Sequence, residues 1–318
     1  MSIIHAKNVS KIFTKIDYDW QDIFHLKRTN TTAVSQLSID IEEGEFVGFL
    51  GPNGAGKTTF LKMLSGIIHP SSGEVKILGY TPWERNFEYL NQMAIVMGQK
   101  NQLWWDLPAI DSFNLLKEVY AIPADLYKKN LDEIVEALDM KPLLTKQLRN
   151  MSLGERMKCE LAASFLHSPK IIFLDEPTIG LDVVSSHAIR KFLKKINEEK
   201  KTTMILTSHY MGDIEALCKR VVIIDKGKKI YDGGLAELKE KYAPEKKIEI
   251  YLETLSDKQK FAKLSGNKKL AENKGIIRAK KDELASIVKD VFASFEPENV
   301  TITDIDTEEV IAKIFKKN

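Results

Sequence analysis

Short runs of consecutive apolar residues alternate along this chain with stretches in which apolar residues recur every three or four positions. "EFVGFL" (Glu45 to Leu50), "KIIFLDE" (Lys170 to Glu176), "TMILTSH" (Thr203 to His209) and "VVIID" (Val221 to Asp225) are short, apolar and bounded by turn residues. They predict strands buried on both faces, two of them feeding helices, in a mostly parallel sheet. The alternation predicts an α/β domain. Between about Gln102 and Gln147 the pattern turns helical, with "DSFNLLKEVY" and "LDEIVEALDM" as its clearest segments; this predicts a helical lobe inserted in the α/β domain. Thr14 to Thr32 is polar and aromatic without clear periodicity, and reads as a surface excursion. Beyond Tyr242 the segments "KIEIYLE", "ASIVKDVFASF", "NVTITDID" and "TEEVIAKIFKK" predict a small α+β appendage.

Composition narrows the class. The chain has 318 residues, 43% of them hydrophobic, which suffices for one large domain or two. Lysine plus arginine number 47 and aspartate plus glutamate 45, for a formal net charge of +2. That balance argues against a dedicated nucleic-acid binder, and no nucleic-acid partner is expected. Cys159 and Cys218 form no CxxC pair, so buried or neutral thiols in a reducing compartment are expected. The first residues, "MSIIHAKNVSKIF", lack the apolar core of a signal peptide, and no apolar run is long enough to cross a bilayer. A cytoplasmic protein is expected, held at any membrane by something else.

The candidate chemistry begins at "GPNGAGKTT", Gly51 to Thr59, which matches G-x-x-x-x-G-K-[ST] between a predicted strand and the helical "TFLKMLSGII". Glycines let backbone N–H groups approach phosphate, and a helix N-terminus adds positive potential. Lys57 is placed to reach the β- and γ-phosphates and Thr58 to hold Mg²⁺. The second half is "IIFLDE": Asp175 suits Mg²⁺, usually through water, and Glu176 suits a general base on the attacking water. A phosphate loop alone leaves ATPase, kinase, GTPase and motor open. An N-K-x-D base-reading motif is not supplied by "ENKG" (Glu272 to Gly275).

Taken in order, "GPNGAGKTT", Gln99 in "VMGQKNQLWWD", "MSLGE", "IIFLDEPTIGLD" and His209 in "LTSHY" resemble the motifs of the ATP-binding cassette (ABC) ATPases. The resemblance covers about residues 1–240 and is nearest to subunits that power two-component exporters. It implies a P-loop NTPase core of the RecA-like type over 1–241, with a mostly parallel sheet, an inserted helical subdomain at about 102–165 and an antiparallel β part. The α+β appendage then spans 242–318, with a regulatory, dimerising or stabilising role left open. By the same resemblance ATP lies on Gly51, Pro52, Asn53, Gly54, Ala55, Gly56, Lys57, Thr58 and Thr59. Gln99 senses Mg²⁺ and γ-phosphate, His209 contacts γ-phosphate, and Asp182 communicates across a dimer. Phe13 matches the aromatic that stacks on adenine. An unusually long segment separates it from the phosphate loop, so Tyr18, Trp20 and Phe24 are alternatives.

"MSLGE" corresponds to the family signature, commonly LSGGQ, which completes the ATP site of the opposing subunit. Ser152 to Glu155 also fits a helix capping box. The two roles of Ser152 are compatible, a cap in the single chain and a phosphate ligand with Gly154 in a dimer. Leu153 and Glu155 depart from the common pattern, one narrowing backbone freedom and the other adding negative charge. The implied partners are a second copy, as a homodimer, and an integral membrane permease that holds the protein at the cytoplasmic face of the inner membrane. Leu103, Trp104 and Trp105 are candidates for the permease contact, with a core role for one Trp as the alternative. A cytosolic ABC factor acting on nucleic acid or ribosomes is the competing class; such factors usually carry two cassettes or a long coiled-coil insertion, and this chain has neither.

Overall fold

A computed structural model describes residues 2–18, 26–98, 100–208, 210–252, 255–264, 267–271, 273–294 and 300–317. They form two compact units, Met1–Gly233 and Gly234–Asn318.

In the first unit the predicted apolar runs are strands: β3 is Phe46–Leu50, β6 Ile171–Asp175, β7 Thr203–Thr207 and β8 Arg220–Asp225, preceded by β1 Ser2–Tyr18, β2 Leu26–Glu42, β4 Ser72–Ile77 and β5 Met93–Met97. With β9, Lys228–Gly234, they form two sheets among the described residues. One has the order β5-β6-β7-β3-β8-β9, and its pairs from β5 to β8 are parallel. The other, β2-β1-β4, is antiparallel. Helix α1, Lys57–Leu64, lies between them in a shared core that includes Phe49, Phe60, Leu61, Ile4, Ile41 and Phe173. Each such buried side chain contributes roughly 1.5–3 kcal/mol. Short helix α2 is Phe87–Leu90; α3 (Ala109–Val119), α4 (Ala124–Ala137) and α5 (Leu153–Phe165) build the predicted helical lobe. Helix α6, Val183–Lys200, follows β6, and α7, Met211–Leu217, follows β7.

The excursion at Thr14 to Thr32 is more regular than its sequence pattern suggests. β1 and β2 continue as a paired antiparallel ribbon out to Tyr18 opposite Leu26. Thr14, Lys15, Thr29, Asn30 and Thr31 are exposed. Along these described positions no side chain is buried, and there is no hydrophobic alternation to read.

The second unit holds α8 (Leu235–Tyr242), β10 (Glu245–Tyr251), α9 (Leu255–Lys263), β11 (Asn267–Ala271), β12 (Lys274–Lys280), α10 (Leu284–Ser294), β13 (Val300–Asp304) and α11 (Thr307–Lys317). From β10 to β13 this is a β-α-β-β-α-β unit with antiparallel order β11-β12-β10-β13. Its core joins Ile248, Ile250, Ile277, Phe261, Ile287 and Val291. The sequence puts the boundary at 241. The units divide earlier, at Gly233 and Gly234, because α8 packs against α11 and buries Leu238 within the second unit. No helix among the described residues is long and apolar enough to cross a membrane.

Candidate nucleotide site

The parallel register brings the predicted motifs to one sheet edge. Phe49 pairs with Thr207, Thr207 with Asp175, and Asp175 with Met97. The loop after each of these strands therefore leaves on the same side. These loops begin with Gly51, Glu176, Ser208 and Gly98. Gln99 and His209 themselves lie outside the described residues, although the strands that precede them end at this edge.

The phosphate loop is tight where it meets the fold and open at its rim. Gly56 caps α1 at φ 104°, a left-handed conformation that β-substituted residues avoid, and a Cβ there would lie 2.3 Å from the Ala33 carbonyl oxygen. Gly51 is pressed as closely against the Ile224 carbonyl. Pro52, Asn53 and Gly54 are exposed, whereas Ala55 is buried and accepts the Gly227 N–H at 2.9 Å. Thr58 and Thr59 lie in the first turn of α1.

Lys57 is 5% exposed, and its ammonium donates to the carbonyls of Gly51 at 2.7 Å and Pro52 at 3.0 Å. Burial pulls its pKa below the usual lysine range, while the carboxylates of Glu176 and Asp175 push it back up. A cation held against the loop's own carbonyls and facing two carboxylates is positioned for an anionic ligand.

Asp175 and Thr58 meet across the sheet edge. Asp175 Oδ1 accepts from Thr58 Oγ1 at 3.0 Å and from Thr207 Oγ1 at 2.5 Å. This cluster of hard oxygen donors beside a phosphate loop has the chemistry that suits a hard cation such as Mg²⁺. Thr207 is a member that sequence reasoning missed. Its only signal was a hydroxyl where an apolar strand ends. Glu176 has a left-handed backbone, φ 54°, which costs on the order of 1 kcal/mol for a residue with a Cβ. Its N–H is held by the Thr207 carbonyl at 3.0 Å and the Thr207 hydroxyl at 3.2 Å. Glu176 lines a cleft of about 310 Å³ with Gly180, Arg190, Ser208 and Tyr210.

Phe13 is 43% exposed, with the Lys11 ammonium 5.2 Å from its ring centroid. It pairs with Thr31, two residues along β2 from the Ala33 that abuts Gly56, a strand distance of ~7 Å. The ribbon thus absorbs the long spacing between Phe13 and the loop. Trp20 and Phe24 lie outside the described residues, and Tyr18 is the last residue of β1.

Ser152 caps α5 in a complete capping box: its hydroxyl accepts the Glu155 N–H at 3.2 Å, and Glu155 accepts the Ser152 N–H at 2.8 Å. Lys146 also pairs with Glu155 at 2.8 Å, and these bonds hold the Glu155 carboxyl below its usual pKa. The extra negative charge in the signature is therefore compensated within the chain. Leu153 rests against Gly180, within the first turn of α5. Gly154 is a close approach: a Cβ there would lie 2.3 Å from Ser185 Oγ on α6. Asp182 caps α6 by accepting from the Ser185 N–H at 2.8 Å and hydroxyl at 2.6 Å. Among the described residues no hydrogen bond joins Ser152 or Gly154 to the loop 51–59.

Glu160 is a second residue that sequence reasoning missed. It is 5% exposed, and its carboxylate accepts the N–H groups of Gln102 at 2.8 Å and Leu103 at 3.2 Å. Burial raises its pKa, against those two backbone bonds. An acidic residue among the apolar positions of "KCELAAS" was the available signal. Beyond this anchor Leu103 is buried, while Trp104 and Trp105 are 44% and 43% exposed. Arg156 of α5 lies 4.9 Å over the Trp105 ring.

Residues 34–179 match the ABC transporter family model. The chain is 33% identical over 217 residues to the ABC transporter ATP-binding protein NatA of Bacillus subtilis, covering 68% of this chain and 88% of NatA. It is 30% identical over 236 residues to the linearmycin resistance ATP-binding protein LnrL of the same organism, covering 74% and 70%. It spans 64% of the uncharacterized ABC transporter ATP-binding protein YhcH, also of Bacillus subtilis, at 34% identity. The fold is shared with the dimeric ATP-binding cassette MJ0796 in a post-hydrolysis state bound to ADP and Pi, with a TM-score of 0.62 and 24% identity over 73% of this chain and 98% of that one. This chain belongs to the ATP-binding proteins of the ABC transporter family.

Proposed function

We propose that this protein is the ATP-hydrolysing subunit of an exporter and drives a separate membrane permease. The observation that carries the reading is the convergence at one sheet edge of Lys57, the Thr58–Asp175–Thr207 cluster and Glu176. In the proposed mechanism the phosphate-loop amides and Lys57 hold the β- and γ-phosphates of ATP. Thr58 and Asp175, with Gln99, would hold Mg²⁺, which supplies charge neutralisation at the phosphates. Glu176 takes a proton from the attacking water, and His209 contacts the γ-phosphate. Phe13 stacks on adenine.

Two chains would close over two nucleotides, each completed by the partner's Ser152 and Gly154, with Asp182 at the junction. The place of Ser152 and Gly154 at the N-terminus of α5, where backbone N–H groups suit a phosphate, supports this assignment. Closure and reopening would move the permease between access states and hold the subunit at the cytoplasmic membrane face. A relative named for linearmycin resistance supports the outward direction. The second unit is proposed to regulate or to assist dimerisation.

The test is ATP binding and turnover by the purified chain. ATP with Mg²⁺ raises the melting temperature of the wild type, since a ligand at 100 times its Kd stabilises by about 2.7 kcal/mol. Lys57→Ala loses most of that shift and all measurable turnover. A full shift in Lys57→Ala would show that the loop does not hold the phosphates.

A further inference from the structure

We infer that Asp213 is a positioning residue for hydrolysis, which acts through Thr178 to hold the left-handed backbone of Glu176 in place. The inference rests on the reading of Glu176 as the base.

Asp213 lies in the first turn of α7 and is fully buried. Its Oδ2 accepts the hydroxyl of Thr178 and, at 3.1 Å, that of Ser208. Thr178 belongs to the loop after β6 and Ser208 to the loop after β7, so one oxygen ties both loops together. Ser208 Oγ in turn accepts the Tyr210 N–H at 3.0 Å. The charge is balanced from a third element. Arg190 of α6 places Nε 3.5 Å from Asp213 Oδ1, and its guanidinium also donates to the Ser186 carbonyl at 3.2 Å and the Gly212 carbonyl at 3.4 Å. That Oδ1 makes no hydrogen bond of good geometry among the described residues, so Arg190 acts on it as a charge.

The geometry explains why a carboxylate is buried here. Two hydroxyl donors converge on one oxygen, and a guanidinium faces the other. A buried carboxylate is tolerated when it is paired and hydrogen-bonded in this way. The consequence falls on Glu176. A strained backbone persists only where its surroundings over-determine it. On one side Thr207 holds the Glu176 N–H. On the other the chain turns at once: Ile179 N–H donates to the Glu176 carbonyl at 3.2 Å and Leu181 N–H to the Thr178 carbonyl at 3.2 Å. Within that turn Thr178 is the side chain pinned to Asp213. Releasing Thr178 frees the turn to relax and Glu176 to shift, without touching a group that holds ATP.

The test is Thr178→Val, which keeps the side-chain shape and removes the hydroxyl. In the intact protein kcat should fall about tenfold or more with KM for ATP within about twofold, as expected for a misplaced base beside an unchanged binding site. Hydrogen exchange across residues 176–181 should quicken in the same variant. Thr178→Ser restores the hydroxyl and should restore both kcat and protection. Should Thr178→Val not fold, Thr178→Ala removes the same hydroxyl with less bulk and carries the same expectation for kcat and KM. A kcat within about twofold of wild type in the folded variant, or no gain in Thr178→Ser over Thr178→Val, overturns the inference and leaves the ATPase reading standing. A wild type without turnover overturns that reading, and the inference with it.

Discussion

At Ser152 a single side chain carries two roles, and the geometry allows them to be separated. Serine, asparagine and aspartate cap helices about equally well, so either substitute should keep α5 within about 0.5 kcal/mol of its stability. Only aspartate adds a carboxylate where the partner's γ-phosphate is proposed to sit. Like charges in a partly dry interface repel strongly. Ser152→Asp is therefore expected to bind ATP, read as the melting-temperature shift, and to lose turnover by about a hundredfold, the scale of one lost phosphate-stabilising group. Ser152→Asn should remain within a few-fold of wild type. Equal turnover in both variants would reduce Ser152 to a helix cap. Gly154 is the poorer probe, because any side chain there strikes Ser185 of the same chain before it reaches a partner. The capping box itself was legible in the sequence, since it depends on three-residue spacing alone. The compensation of Glu155 by Lys146 was not, because nine residues and a turn separate them.

At the scale of elements, the buried parallel strands were the most legible feature, because each is a short apolar run with few alternatives. The outer ribbon, Ile12 to Lys15 against Arg28 to Thr32, was the least legible, since these side chains are all exposed and no alternation marks the strands. The segment after β5 falls between these cases. Its attachment depends on Glu160, which no periodicity could pair with Gln102 and Leu103. That anchor fixes Leu103 in the interior and leaves Trp104 and Trp105 exposed beside it. Tryptophan is enriched among the residues that anchor protein interfaces. Trp104→Ala and Trp105→Ala should each weaken co-purification with the proposed membrane permease, by about tenfold or more in affinity for a residue worth over 1.4 kcal/mol. Basal ATPase activity should be unchanged. Normal co-purification of both variants would move the contact elsewhere.

For the whole molecule, the site is a property of topology. Thr58 and Asp175 are 117 residues apart and Asp175 and Thr207 are 32 apart, yet parallel register sets Asp175 beside Thr207, and α1 brings Thr58 to the same edge. The sequence motifs named most of the participants, because each motif is local. It could not show that Thr207 joins Asp175, that Asp213 reaches Thr178, or that α8 belongs with the second unit. Those facts depend on which strands are neighbours and which helices pack together. The central claim is that this edge hydrolyses ATP with Glu176 as base. Its most direct test is to measure phosphate release and the ATP-induced melting shift together in Glu176→Gln. The amide keeps the shape of the side chain and removes its basicity. The account predicts a preserved shift with phosphate release slower by about 10²–10⁴-fold, the usual contribution of a general base. Phosphate release within a few-fold of wild type, with the same shift, would contradict it.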